Sequence, residues 1–484
     1  MKIAVVTPWY PNPTRPTEGV FVRNEVAALA AAGVKVFVVH LHRELPAGQV
    51  EGVKRQPPEV AGAEDGVPIV RVGMHPAYPL SVRRAAKPLV KLLKQADVVH
   101  SHAISVLPVM WLAQKQLGQS EGTKAVGDRT TLAESQVGER LSGSNQLGMK
   151  LSGVNSFGVK PWVHSEHWSA LANPQTASPW LRLARPAFGY LLKYPQIVVT
   201  ESKRLQAAVL PFRAGRADAK RAGKRSCAML PFRMGRSQAQ MHSNFIQPTL
   251  DGSLEAAAST TDSAVNSNAA PAAPSYGAAS STDSNASTRI VPCIVPTPEA
   301  LVERPYHGDR QLRLASTGGV IDRKNPLLCV QIVVELKRFG VDASLRWSGV
   351  GPQMEECRRL AAELGADCQF LGSRTPTQVQ AEIAACDIFL APTKGDNFFV
   401  AAAEALVNGR PLCASPYGGH VEYADPRYSE IVEEQTPAAY AQALLRLRDK
   451  TRGVSAREIS QSVASRFAPQ EVARQLLDLY REVS

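Results

Sequence analysis

The stretch DIFLAPTKGDNFFVAAAEALVNGRPLCASPYGGHVE, residues 387–422, decides the fold. DIFLAPT (387–393) is a short apolar run of the kind buried on both faces of a parallel sheet. Residues 398–408 read as a helix, RPLCAS (410–415) as the next strand, and a glycine loop follows. A helix that starts just after a strand offers free amide N–H groups and the positive end of its dipole, a setting suited to phosphate. Asp396 sits in the loop, and Glu404 follows eight residues later in the helix, where a carboxylate can accept both hydroxyls of a ribose. Gly418-Gly419 lets the backbone approach a ligand closely. On pattern alone, the same two acids also fit a helix cap and a solvated helix residue.

The scheme extends in both directions. Upstream, RLAST (313–317) and ASLRWSG (343–349) read as strands. Helices over 326–339 and 353–364 follow them, ended by Gly340 and Gly365. The amino-terminal part repeats the pattern. KIAVVTP (2–8) is a strand, Val22, Val26 and Leu29 fall at helical spacing before Gly33, and VKVFVVHL (34–41) is the next strand. DVVHSH (97–102), PWVHSEH (161–167) and IVVTES (197–202) are apolar strands that end in polar residues. Such alternation gives parallel sheets covered on both faces, with ligands bound outside the carboxyl ends of the strands. The polar groups lie at those ends.

Two stretches break the pattern. Residues 118–160 hold a tandem repeat, LSGSNQLGMK (141–150) and LSGVNSFGVK (151–160), too few copies for a solenoid. Residues 213–289 open with a duplicated basic block, LPFRAGR (210–216) and LPFRMGR (230–236), and continue as a Ser/Ala/Thr/Asn tract over about 251–288. That tract has too few large apolar residues to offset its ordering entropy and is expected to be disordered. Eight Arg/Lys against Asp218 alone fall between 213 and 243, so more than half of the +12 net charge sits in one insertion. Both insertions connect a helix to a strand, which places them at the amino ends of the strands, away from the ligand crevice. Without them, two blocks of nearly equal size remain, each large enough for its own core.

With 484 residues, 44% apolar and 20% charged, the chain has ordinary globular composition. No run approaches the ~20 apolar residues of a membrane span. The amino terminus lacks the longer apolar core of a signal peptide, so secretion is not expected. Seven cysteines without a CxxC pair argue against a disulfide framework or a zinc site and fit a reducing cytoplasm. His100, His102 and His164 end strands and read as packed, hydrogen-bonded residues. The HxH at 100–102 would suggest a metal only with a third ligand, and the sequence presents no obvious one.

The 387–422 segment resembles the donor-binding signature of glycosyltransferase family 4, retaining enzymes of the GT-B fold. Their Glu-x7-Glu motif appears here as Asp396-x7-Glu404, followed by EALVNGRPLCAS and YGGHVEY. STGGVIDRKNP (316–326) resembles the family's diphosphate-binding turn, with Lys324 on the family's lysine, Arg323 adjacent, and Gly319 where the family usually has Arg. PWYPNPTRPTEGVFVRNE resembles the acceptor-side loop, with Gly19 at the turn and Glu18 and Arg23 beside it. PWVHSEHWSAL (161–171) resembles the segment with the active-site histidine, here His167. RIVPCIVPTPEAL (289–301) resembles the interdomain linker, with Cys293 in place of an Asn, and RFAPQEVARQLLDLYREV (466–483) resembles the helix that crosses back onto the first domain.

The resemblance implies two Rossmann-like doubly wound α/β domains facing a cleft. The acceptor-side domain would span 1–295, the nucleotide-sugar domain 296–465 and the crossing helix 466–484. It implies catalytic roles for His167, Asp396 and Lys324. Donor binding would fall to Gly19, Arg323, Lys324, Asn397, Phe398, Phe399, Val400, Glu404 and Gly351 of the 349–351 turn. His167 would lie under the donor sugar and act through its backbone, not as a base. The expected activity is retaining transfer from a nucleotide-diphosphate sugar to a glycan or lipid-linked acceptor in cell-surface polysaccharide assembly, with neither a cofactor nor a metal. No nucleic-acid partner is expected. Residues 213–243 are a candidate contact with an anionic membrane, which would place a cytoplasmic enzyme peripherally at the inner face of the plasma membrane. Asp396, Gly319 and Cys293 also leave open a catalytically inactive nucleotide-sugar-binding protein, and a nucleotide-sugar epimerase of the same fold is a further alternative.

Overall fold

The computed structural model describes residues 1–12, 15, 18–42, 59–64, 66–76, 78–132, 160–173, 179–213, 287–304 and 311–484. The repeat at 141–159 and nearly all of 213–289, with the basic block and the Ser/Ala tract, lie outside the described residues.

The first domain runs β1 (Lys2–Thr7), α1 (Val20–Ala31), β2 (Lys35–His42), β3 (Glu59–Glu64), β4 (Val67–Gly73), α2 (Pro79–Leu93), β5 (Val98–His102) and α3 (Leu107–Leu132). It continues with β6 (Trp162–Glu166), α4 (Ser169–Ala172), α5 (Pro179–Tyr190), β7 (Ile197–Thr200), α6 (Lys203–Arg213) and β8 (Ser287–Ile290). Its sheet has the order β3-β4-β2-β1-β5-β6-β7-β8, parallel except for the β3–β4 pair. The helix begun at Leu107 extends to Leu132, into the stretch that the sequence assigns to the first insertion.

The second domain runs β9 (Gln311–Thr317), α7 (Pro326–Arg338), β10 (Asp342–Ser348), α8 (Met354–Leu364), β11 (Asp367–Phe370), α9 (Pro376–Ala385), β12 (Ile388–Ala391), α10 (Val400–Val407), β13 (Leu412–Ala414), β14 (Ser429–Ile431) and α11 (Pro437–Lys450). Two short helices, α12 (Ala456–Gln461) and α13 (Ala464–Phe467), lead to α14 (Pro469–Val483). The sheet is wholly parallel, β11-β10-β9-β12-β13-β14, so the order reverses between β9 and β12. The first sheet reverses in the same way between β1 and β5. Crevices open at such reversals, outside the carboxyl ends of the strands.

The strands are apolar because both faces are covered. In the first domain, α2 and α3 side chains such as Leu89, Met110 and Leu117 pack one face. Val22, Val26 and Leu29 of α1 pack the other with Val472, Leu476, Leu479 and Tyr480 of α14. The last helix of the chain thus completes the core of the first domain. Each such buried side chain contributes roughly 1.5–3 kcal/mol, enough together to hold the helix there. The two segments that cross between the domains are joined to each other, with the Val295 amide donating to the Phe467 carbonyl at 3.1 Å.

Candidate active site

The two crevices face each other across a cavity of about 400 Å³. Its walls include Trp9, Glu18, Gly19, Phe21, His167, Glu201 and Cys293 from the first domain and Arg323 and Asp396–Val400 from the second. Gly19 has φ +69°, and a Cβ there would sit 2.3 Å from the Trp9 carbonyl oxygen. Only glycine lets the loop after β1 fold back so closely before α1 begins.

His167 follows β6 and is fixed from several sides. Its Nδ1 lies 2.5 Å from Glu201 Oε1, and its Nε2 lies 3.1 Å from Nδ1 of His102, whose ring is nearly coplanar with it. Its backbone N–H donates to Glu166 Oε1 at 2.9 Å. Its carbonyl oxygen accepts from Asn397 Nδ2 of the second domain at 2.8 Å. Burial opposes protonation of the imidazole, but the Glu201 carboxylate more than offsets it, and the His167 pKa is raised. Cys293 Sγ also donates to Glu201 Oε1, at 3.0 Å. Burial and that neighbouring carboxylate push the thiol pKa well up, so Cys293 stays a neutral thiol.

Opposite, the turn after β9 carries the cations. Lys324 Nζ and Arg323 Nη1 both donate to Asp396 Oδ2, at 2.6 and 3.0 Å. Lys324 also lies over the Phe399 ring, 3.9 Å from its centroid. Burial works against the Asp396 charge, yet the Lys324 and Arg323 cations hold its pKa below the usual value. Lys324 is shifted down, by burial first, with Asp396 opposing. Asp396 therefore serves in this state as counter-ion to the two cations, where the family resemblance placed it against the donor sugar. Its other oxygen, Oδ1, accepts from the Asn397 amide of its own loop at 3.0 Å.

Phe399, the residue before α10, has φ +65°, an uncommon conformation for a bulky side chain and one that concentrates at functional sites. Tyr423 Oη donates to the Phe398 and Phe399 carbonyls, at 2.9 and 2.8 Å, and holds the bend. Gly419 supports the loop from behind, because a Cβ there would meet the Asn397 carbonyl at 1.9 Å. Val400, in the first turn of α10, lines the cavity. Glu404, one turn deeper, takes no hydrogen bond or ion pair on its carboxylate among the described residues. Burial alone pushes its pKa up from 4.5 to about 7.

Most of the residues singled out in the sequence come together here. Gly351 does not line the cavity. It packs beside the Val320 carbonyl, and the Val320 amide donates to the Val350 carbonyl at 3.0 Å, so it supports the turn that carries the cations. Sequence reasoning passed over Glu201, Trp9 and Phe21. Glu201 had a signal, a carboxylate at the polar end of IVVTES. His100, His102 and His164 are buried and hydrogen-bonded, as their strand positions suggested. Against the sequence reading, however, the HxH pair does meet a third potential ligand. Glu25 Oε1 lies 3.1 Å from His100 Nδ1 and 3.3 Å from His102 Nε2.

Comparisons with known proteins agree with this architecture. Residues 311–450 match the family of glycosyl transferases group 1. The D-inositol 3-phosphate glycosyltransferase of Corynebacterium urealyticum is 31% identical over 141 residues, 28% of this chain and 33% of that protein. The enzyme of the same name from Corynebacterium efficiens is 31% identical over 182 residues, 35% of this chain and 43% of that one. The chain thus spans between a third and a half of the length of these curated relatives. Among solved structures, sucrose-phosphate synthase from Thermosynechococcus elongatus aligns with a TM-score of 0.57 at 16% identity, covering 99% of this chain and 98% of the other. Anabaena HepE in complex with UDP-glucose aligns with 0.57 at 13%, covering all of both chains. Two facing parallel-sheet domains of this kind make the protein a GT-B fold. The match over residues 311–450 agrees with the resemblance to glycosyltransferase family 4.

Proposed function

We propose that the protein is a retaining glycosyltransferase that moves a sugar from a nucleoside-diphosphate sugar to a glycan or lipid-linked acceptor in cell-surface polysaccharide assembly. The observation that carries this reading is Glu404, an unpartnered carboxylate one turn inside a helix whose start lines the interdomain cavity. Such a group is made to accept two vicinal hydroxyls. A ribose there puts its diphosphate at the amides of Asn397–Val400 and beside Lys324 and Arg323. The diphosphate must share the two cations with Asp396. As the glycosidic bond breaks, negative charge grows on the leaving phosphate, and fixed positive charge lowers that barrier. The donor sugar then lies toward His167. The carbonyl of His167, already aligned by Asn397, faces positive charge developing at the anomeric centre. Closure of the two domains expels water that would otherwise hydrolyse the donor.

UDP-sugars are the first donors to test, since a structural neighbour holds UDP-glucose. A thermal-shift screen against UDP-, GDP- and ADP-sugars should single out one by raising the melting temperature. The product made from it should keep the donor's anomeric configuration by NMR. Turnover without an acceptor would favour the epimerase, and binding without turnover the inactive protein. Among the described residues, no helix is long and apolar enough to cross a membrane. A cytoplasmic site with peripheral membrane contact through 213–243 is part of the same proposal. Its test is salt-sensitive liposome binding that disappears when 213–289 is deleted.

A further inference from the structure

We propose that Glu25, His100 and His102 form a divalent-metal site, holding zinc through one carboxylate oxygen and two imidazole nitrogens, directly behind the His167 ring. The site goes beyond the glycosyltransferase reading and does not depend on it.

The three residues come from two elements. His100 and His102 alternate along β5 and so point to the same face of the sheet. α1 lays Glu25 over that face. The donor atoms all lie within 4.8 Å of one another. The two oxygen-to-nitrogen separations are 3.1 and 3.3 Å. Zinc–ligand bonds of 2.0–2.1 Å in a tetrahedron put neighbouring donors about 3.3–3.4 Å apart, so the carboxylate oxygen already stands near that spacing from each imidazole.

Hydrogen bonding points the same way. Glu25 Oε1 and His102 Nε2 are buried and lack a well-aligned hydrogen-bond partner; their nearest polar neighbours are each other and, for Glu25, His100 Nδ1. Buried polar atoms seldom go without a partner. The outward nitrogens, by contrast, are both held. His100 Nε2 lies 2.7 Å from Ser165 Oγ, and His102 Nδ1 lies 3.1 Å from His167 Nε2. Outer partners of this kind orient metal-binding histidines and fix their tautomers. The third inward atom, His100 Nδ1, is hydrogen-bonded to Tyr480 Oη of the C-terminal helix at 2.7 Å, and the ion would take the place of that hydrogen bond.

Two imidazoles and one carboxylate suit a borderline first-row ion and not magnesium or calcium, which take oxygen ligands. The site does not reach the diphosphate cations, so its role is to position. With zinc on His102 Nε2, the Nδ1–H of His102 donates to His167 Nε2. The proton of His167 is then on Nδ1, facing Glu201. The ion would thereby set the tautomer and tilt of the histidine at the cavity.

The test uses the full chain without a histidine tag, stripped with a chelator, reloaded with zinc sulfate and desalted. Elemental analysis should find one zinc per chain. Cobalt(II) loading should give the intense visible absorption of a four- or five-coordinate site with nitrogen and oxygen ligands. Glu25→Gln and His102→Ala should each weaken zinc binding at least about 100-fold, while His42→Ala keeps it. Circular dichroism checks that the variants fold. If either does not, the cobalt spectrum of the unaltered chain decides. Substoichiometric zinc with no cobalt spectrum would overturn the proposal and leave a hydrogen-bonded core cluster. Full zinc retention in both folded variants would overturn it equally. Neither outcome bears on nucleotide-sugar binding, which is read separately.

Discussion

The side-chain amide of Asn397 donates to the carbonyl oxygen of His167 across the interdomain cavity, at 2.8 Å. One hydrogen bond thus ties the second domain to the backbone atom that, in the proposed reaction, faces the anomeric carbon. Asn397→Ala should lower kcat about ten-fold, the effect of losing a net contribution of roughly 1–1.5 kcal/mol. Affinity for the nucleoside diphosphate should change little. Asn397→Asp should be worse than alanine, because it sets a carboxylate against a carbonyl oxygen. Steady-state rates and calorimetric binding of the diphosphate separate the two effects.

Glu404 gives a pH signature. Its pKa is about 7 in the folded chain and 4.5 without burial. The unfolded chain therefore loses this proton first as pH rises. Between pH 4.5 and 7 the native state should lose stability, by up to about 3 kcal/mol above pH 7. Glu404→Gln should match the unaltered protein below pH 4.5 and be more stable at pH 8. Denaturation midpoints across that range check the sign. Because ribose hydroxyls donate to the ionised carboxylate, donor affinity should rise with pH through the same window.

The Asp396–Lys324–Arg323 cluster is buried enough for its charges to matter to the fold. The Lys324 and Asp396 side chains are 11% and 19% exposed. Lys324→Met should destabilise the protein by about 3 kcal/mol, since it leaves Asp396 with Arg323 alone. Adding Asp396→Asn should recover part of that loss, a coupling of about 1–3 kcal/mol in a double-mutant cycle. Both variants should lose most of their diphosphate affinity. Denaturant titration with and without UDP measures the two quantities together.

Glu422 caps a helix in the other domain. Its Oε1 accepts from the backbone amides of Lys203 and Arg204, at 2.8 and 3.4 Å, at the start of α6. Carboxylates at helix starts contribute about 1 kcal/mol. Here the bond also spans the cleft, so Glu422→Ala should raise KM for the donor several-fold and leave kcat less affected. Small-angle scattering should show the variant more open.

Much of this architecture was legible in the sequence. β1, β5, β7 and β12 are buried on both faces, so each appears as an apolar run ended by polar residues. The β3–β4 hairpin was missed because VPIVRVG (67–73) mixes Arg71 and proline into its strand. β14 is only three residues long and carries no readable period. The donor-side site could be seen because Asp396 to Glu404 lie in one strand–loop–helix unit. The cluster at Glu25 could not. Glu25 and His100 are 75 positions apart, and what joins them is the pairing of β1 with β5, which sets Val5 beside His100, together with the packing of α1 over both. The reach of Asp396 was equally invisible, since the turn that carries Lys324 and Arg323 approaches it only through the order of the second sheet.

Calorimetric titration of UDP-, GDP- and ADP-sugars into the full-length protein and its Glu404→Ala variant tests the central claim most directly. The account predicts that one of these donors binds the unaltered protein with one site per chain and binds the variant at least about ten-fold more weakly. Equal affinity in the two proteins, or no heat of binding from any of the donors, would contradict it.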